Sequence, residues 1–290
     1  MPEITAQLVK ELREITGAGM MECKKALTEA KGEVEAAIDV LRTRGLAAAA
    51  KKAGRATNEG LIVTKLSSDV RSAAIVEVNC ETDFVSRNDV FAELAAKVAT
   101  AVLEADPKDT EALLAVAVDG QSVQELLTEG IHTIGENIQV SRFMRTQTEK
   151  GAFATYIHGG GRLGILVQFD FDKPGTAGDQ RFLEVAKDVA MQVAAANPQS
   201  VSRESFEPEA IEREMSIYKA QAAESGKPES IQEKIALGRM EKFYKENTLL
   251  EQAFIKDSDI TVRAYLKKAA TELKDTISVV DFVRYALGGE

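Results

Sequence analysis

The residues best placed to act on something outside the chain are Asp83 and Phe84, within Glu81-Thr82-Asp83-Phe84-Val85-Ser86. A carboxylate beside a phenyl group makes no covalent bond, but the pair suits insertion into a partner's cleft. The segment follows an apolar strand-like run, Ala73 to Cys80, and precedes a helix that begins near Asp89. It therefore falls on a strand-to-helix connection, where a rigid scaffold can present side chains outward. A competing reading makes Thr82 or Asp83 a helix cap and Phe84 a staple into the core.

No bond-making constellation accompanies this pair. Cys23 and Cys80, His132 and His158 are the only cysteines and histidines, and no pair has metal-ligand spacing. Gly159-Gly160-Gly161-Arg162-Leu163-Gly164 matches the G-x-G-x-x-G pattern, but it lies between two strand-like runs. A dinucleotide fingerprint has to open a helix, so that the pyrophosphate meets the helix N-terminus. The run reads as a hairpin loop, and an oxidoreductase binding NAD or FAD there is the weakest of three functional readings. His158, at the mouth of that loop, reads as a surface or partner-contacting residue. His132 reads as a partly buried position in the apolar helix Val123 to Ile134. No cofactor is implied.

The elements behind these residues follow from periodicity. Residues 1–54 read as three short helices. Leu8, Leu12 and Ile15 stripe the first, Met20, Cys23, Leu27 and Ala30 the second, and Val34, Ala37, Ile38 and Leu41 the third. Gly17 to Gly19, Gly32 and Gly45 are expected to stop them, leaving a basic, alanine-rich linker to Arg55. From Gly60 the period becomes two: a hairpin from Leu61 to Cys80 with a turn at Ser67 to Asp69, then a helix carrying Val90, Leu94, Val98 and Val102.

The chain repeats itself. Shifted by 91 residues, Gly60 to Pro107 matches Gly151 to Pro198 at 12 of 48 positions without a gap. Ile138 to Arg145 matches Ile277 to Arg284 at a shift of 139, so the second unit carries 48 extra residues after its helix. Pro208 starts a helix there, with Ile211, Met215, Tyr218 and Ala222 on one face. Ser225-Gly226-Lys227-Pro228 turns the chain into a second helix with Ile231, Ile235, Leu237, Met240 and Tyr244. Two such helices form an antiparallel hairpin that should protrude as an arm. The expected class is α+β: a helical bundle (1–54), one hairpin-helix-strand unit (55–146), and a second (147–290) with the arm inserted at 200–246. Opposite Thr82 to Val85 the second unit has Lys173-Pro174-Gly175-Thr176. The scaffold was kept and this connection was not, which favours display of Phe84 over stapling.

Bulk properties narrow the function. The net charge of −10 argues against a general nucleic-acid binder. The acidic start lacks a signal core, and no apolar run approaches the ~18 residues of a membrane span. Cytoplasmic residence is the expectation.

With these motifs in hand, the chain resembles bacterial translation elongation factor Ts from residue 1 to about 285. The resemblance rests on Thr16 to Leu27, Glu77 to Val85, Ile134-Gly135-Glu136-Asn137-Ile138 and Ser225 to Pro228. It implies a guanine nucleotide exchange factor, not an enzyme, whose partner is elongation factor Tu. It also implies that the bundle is ubiquitin-associated-like and docks on the partner's GTPase domain. Thr82, Asp83, Phe84 and Val85 would help dislodge the partner's Mg²⁺, and Ile134, Gly135 and His158 would add contacts. Many relatives continue past the last strand with a helical module; here the chain stops at Ala286 to Glu290, so that contact is expected to be absent or reduced. The runner-up is an adaptor or chaperone-like binding module working through the bundle and the arm. An apolar arm and two sheets leave room for a dimer, or for a two-plus-two assembly with the partner.

Overall fold

A computed structural model describes residues 4–16 and 18–289. Its order is α1 (Ala6–Thr16), α2 (Met20–Glu29), α3 (Val34–Lys52), β1 (Glu59–Leu66), β2 (Ser72–Cys80), α4 (Asp83–Ser86), α5 (Asp89–Ala105), α6 (Thr110–Ala115), β3 (Ala117–Val118), β4 (Gln121–Ser122), α7 (Val123–Ile134) and β5 (Gln139–Gln147). The second half continues with β6 (Ala152–His158), β7 (Leu163–Asp170), α8 (Gln180–Ala196), α9 (Pro208–Ala223), α10 (Glu229–Asn247), β8 (Ala253–Phe254), β9 (Asp257–Thr261), α11 (Val262–Leu273) and β10 (Ser278–Ala286).

Two antiparallel three-stranded sheets carry the duplication, ordered β1-β2-β5 and β10-β7-β6. Their registers match: Val76 faces Phe143 in the first, and Val167 faces Phe282 in the second. Both third strands bulge at the same place, at Ser141 and at Val280. Gly60 and Gly151 open the two hairpins with φ of 155° and 88°. A Cβ at either would sit 2.2 or 1.9 Å from a carbonyl oxygen of the neighbouring strand, so glycine is required. The helices α5 and α8 bury Phe91, Ala95, Val98, Ala99 and Val102, and Phe182, Ala186, Val189, Ala190 and Val193, each set against its own sheet. Both end in a left-handed residue, Asp106 and Asn197.

Strand alternation puts Leu61 on the helix side of β1 and Ile62 on the other. Ile62, Ala73, Ile75, Phe153 and Leu166 pack between the two sheets. This explains the glycine run. Gly161 and Gly164 leave room for Leu61 and Ile62, where a Cβ would approach them to 2.4 Å. The backbone of Gly161 also accepts a hydrogen bond from Ile62 N at 2.7 Å. The run is a sheet-to-sheet seat within a hairpin, as its flanking strands predicted.

Several expectations need correction. Gly45 does not stop α3, which runs on to Lys52 and passes Thr128 and His132 of α7 at ordinary contact distance. The basic segment is thus helical, with Lys52 Nζ donating to Ile131 O at 2.9 Å. Gly17 lies outside the described residues. In the bundle, Val9 and Ala26 are buried, while Ile15 and Met20 are exposed. Val90 is likewise exposed, and Phe91 takes its place in the core. The 48 extra residues form α9 and α10, which pack on each other and meet the body at one end. There Arg203 pairs with Glu241 and Glu251. The helix α11, not foreseen, is the counterpart of α7 at the 139-residue shift. Their caps correspond too: Ser122 and Thr261 at the start, Gly135 and Lys274 (both left-handed) at the end.

Candidate functional site

The connection after β2 folds as a single helical turn, α4. Val85 tucks against the first core, and Phe84 is 84% exposed. The staple reading of Phe84 therefore fails, and the core anchor beside it is Val85. Nor does the Thr82 hydroxyl cap the turn. It donates to Glu136 Oε1 at 2.6 Å, while Glu136 Oε2 accepts the backbone N–H groups of Glu81 and Thr82, both at 3.0 Å. The Asp83 carboxylate is 42% exposed and pairs with Arg87 at 2.9 Å, one turn on. Asn88 caps the next helix, α5, by accepting from Val90 N.

Glu136 belongs to the segment that ends α7. Ile134 packs against the same core as Val85, and Gly135 is exposed in a left-handed conformation with φ of 91°. That turn brings Glu136 back toward the β2 end. In return, Glu81 Oε1 accepts Asn137 N at 2.7 Å and pairs with Arg55 at 3.3 Å. The structure thus gathers Thr82 to Val85 and Ile134 to Gly135 into one patch, edged by Glu81, Asp83 and Glu136 and by Arg55 and Arg87. His158 is placed elsewhere. It is exposed at the end of β6, with Nδ1 3.0 Å from Tyr156 Oη. Its hairpin meets β1 through Gly161, not the α4 turn. His132 lies on α7 with Nε2 2.7 Å from Glu22 of the bundle.

Just beneath the turn, Cys80 is buried and its Sγ donates to Thr82 O at 3.2 Å. Burial, with the Glu136 carboxylate nearby, pushes its thiol up to about 12. Among the described residues no group of three or more His, Cys, Asp or Glu is arranged to hold a metal ion. A groove of about 480 Å³ between α8 and α11 is lined by Arg181, Asp188, Lys256 and Lys268 among others, and by no residue of the α4 turn. No described helix is long and apolar enough to cross a membrane.

These features define a class: a duplicated α+β scaffold, preceded by a helical bundle and bearing a helical arm, that displays an aromatic side chain on an anchored turn. A family model described as elongation factor Ts matches residues 81–289, beginning at the first residue of that turn's anchor. Elongation factor Ts of Clostridium perfringens (strain SM101) is 49% identical over 286 residues, covering 98% of this chain and 93% of the relative. Elongation factor Ts of Clostridium botulinum (strain ATCC 19397) is 46% identical over 288 residues, covering 98% and 92%. The chain belongs to the elongation factor Ts family.

Proposed function

We propose that the chain is a guanine nucleotide exchange factor for elongation factor Tu, acting in the cytoplasm during translation elongation. Family membership supports the broad role. The single observation supporting the mechanism is Phe84, a phenyl side chain left almost fully in solvent on a turn that Glu136 and Val85 hold to the body. An exposed aromatic side chain on a rigid support loses little conformational freedom when it inserts into a partner.

The mechanism is one of linkage. GDP and Mg²⁺ hold the partner's nucleotide site in one conformation, and this protein binds the empty conformation more tightly. Coupling is reciprocal, so nucleotide in turn weakens the grip of the factor. Phe84 wedges between elements of the partner, and Asp83 leaves Arg87 to engage displaced backbone or to hinder the Mg²⁺ shell. Ile134 and Gly135 add contacts beside the wedge, and His158 adds one from the second sheet. The bundle, with Ile15, Met20 and Met21 exposed, docks on the partner's GTPase domain.

The test is stopped-flow release of labelled GDP from elongation factor Tu. Phe84→Ala should lower the release rate at saturating factor more than it raises the concentration needed for half the effect. Release as fast as with the unmodified chain would overturn the wedge. An adaptor acting through the bundle and arm would give that result, with binding lost on deleting residues 1–54.

A further inference from the structure

The two units differ in what their connections display, yet they hold those connections in the same way. In the first, Glu136 accepts Glu81 N and Thr82 N. In the second, Asp275 accepts Asp172 N at 3.2 Å and Lys173 N at 3.1 Å. Asp172 and Lys173 stand 91 residues after Glu81 and Thr82, and Asp275 stands 139 after Glu136. A return bond comes from the corresponding residue in each unit, through a different donor: Glu81 accepts from the backbone N–H of Asn137, and Asp172 accepts from the Thr276 hydroxyl at 2.8 Å. Each carboxylate follows a left-handed residue that ends a helix, Gly135 or Lys274.

This reciprocal clasp is a property of the repeated unit. Its role differs between copies because of what it carries. In the second unit the held connection is the short 3-10 turn Pro174–Gly178, with nothing apolar and large facing solvent. In the first, the clasp fixes the two residues from which α4 springs, and so sets the direction in which Phe84 leaves the surface. Val85 sets the depth of the turn. With its peptide N–H groups released, the turn would still be tethered by Val85 and by the Cys80 Sγ bond to Thr82 O, but would lose the contact that fixes its orientation against the end of α7.

We infer that Glu136 is a positioning residue for exchange: it touches no nucleotide and holds the α4 turn so that Phe84 and the Ile134–Gly135 edge approach the partner as one rigid unit. This rests on the proposed exchange function. A misplacement of about 1 Å in such a group can cost on the order of 100-fold in rate, so the clasp, rather than contact area, governs how fast release becomes once the complex has formed.

The experiment uses the full chain with elongation factor Tu and labelled GDP, comparing Glu136→Ala, Glu136→Gln, Asp275→Ala and Phe84→Ala, each also assayed for thermal stability. Glu136→Ala should lower the saturating release rate by roughly ten-fold or more and change the half-saturating concentration much less. Glu136→Gln should recover most of the rate. Its amide oxygen still accepts the two peptide N–H groups, and its amino group can donate to the Thr82 hydroxyl. Asp275→Ala should lower the melting temperature similarly yet leave the saturating rate within about two-fold. Added to Phe84→Ala, Glu136→Ala should slow release by clearly less than it does in the unmodified chain, because the main group it orients is gone and only Asp83 and the Ile134–Gly135 edge remain. Should Glu136→Ala not fold, Thr82→Val removes one of the three donors and should show the same rate-over-affinity pattern more weakly. If Phe84→Ala slows release while Glu136→Ala does not, or does so only as much as Asp275→Ala, the positioning role is overturned. If Phe84→Ala itself has no effect, the exchange mechanism falls first.

Discussion

Arg142 Nε donates to Glu77 Oε2 at 2.8 Å across strands β5 and β2, and Glu77 is only 3% exposed. The pair joins the two sheets. Arg142 also donates to Ala286 O at 2.8 Å and lies 4.2 Å over the Tyr285 ring, while Glu77 Oε1 accepts from Asn79 and from Gly288 N. The last residues of the second unit are thereby fastened to the first. Removing one member of a buried pair leaves the other charge without its partner, at a cost of about 3–5 kcal/mol. Arg142→Ala should destabilise by that order in calorimetry. Arg142→Met combined with Glu77→Gln should cost clearly less than Arg142→Met alone; equal losses would show that the two residues are not coupled.

The two phenylalanines that flank the start of α5 should separate stability from action. Phe91 is fully buried against the first sheet, and Phe84 is in solvent. Phe91→Ala should cost about 3–5 kcal/mol. Phe84→Ala should stay within about 0.5 kcal/mol in chemical denaturation while slowing nucleotide release. A large stability loss for Phe84→Ala would mean that its ring has a packing role within its own subunit.

Much of this was legible because duplication leaves a signal that single-residue propensity does not. The shifts of 91 and 139 located both sheets, both long helices and the arm, and even the bulges obey them. The clasp leaves no identity in the repeat because its members differ in type between copies: Glu81 and Glu136 become Asp172 and Asp275, and Asn137 becomes Thr276. Carrying the 139-residue shift back to Ser122 and Thr261 would have exposed α11 and, one residue past its cap, the second carboxylate. Val90 and Phe91 are neighbours, and periodicity alone cannot say which of the two turns inward; Ile15 and Met20 stand at the ends of α1 and α2, where an apolar stripe runs on past the bundle core. Gly45 shows that a glycine alone does not end a helix: the residues after it, Leu46 to Ala50, are strong helix formers, and α3 continues through them.

The hairpin openings offer a matched pair. Gly60→Ala and Gly151→Ala each force a Cβ onto a carbonyl oxygen at a left-handed or extreme positive φ. Both should lower stability by more than the ~1 kcal/mol of an ordinary strained turn. Gly175→Ala, where no atom lies within 4 Å of the added Cβ and φ is not positive, should be close to neutral. Thermal melts of the three variants check this, and a tolerated Gly60→Ala would contradict the close approach of Val78 to β1.

Cys80 gives a pH-dependent reading of the same region. Burial first, and the Glu136 carboxylate second, push its thiol up to about 12 from an ordinary value near 9. The folded state therefore favours the protonated form. The stability this contributes is fully present below about pH 9 and is lost as pH rises from there toward 12. The thiolate is the reactive species, so at pH 8 alkylation of Cys80 in the native chain should be slow and should follow local opening of the β2 end. Glu136→Ala loosens the segment lying over the thiol and removes a nearby negative charge, so it should speed labelling of Cys80 and leave Cys23, buried in the bundle core, unaffected. Mass spectrometry of the two labelled peptides measures both rates, and equal acceleration at Cys23 would indicate global unfolding instead of release of the clasp.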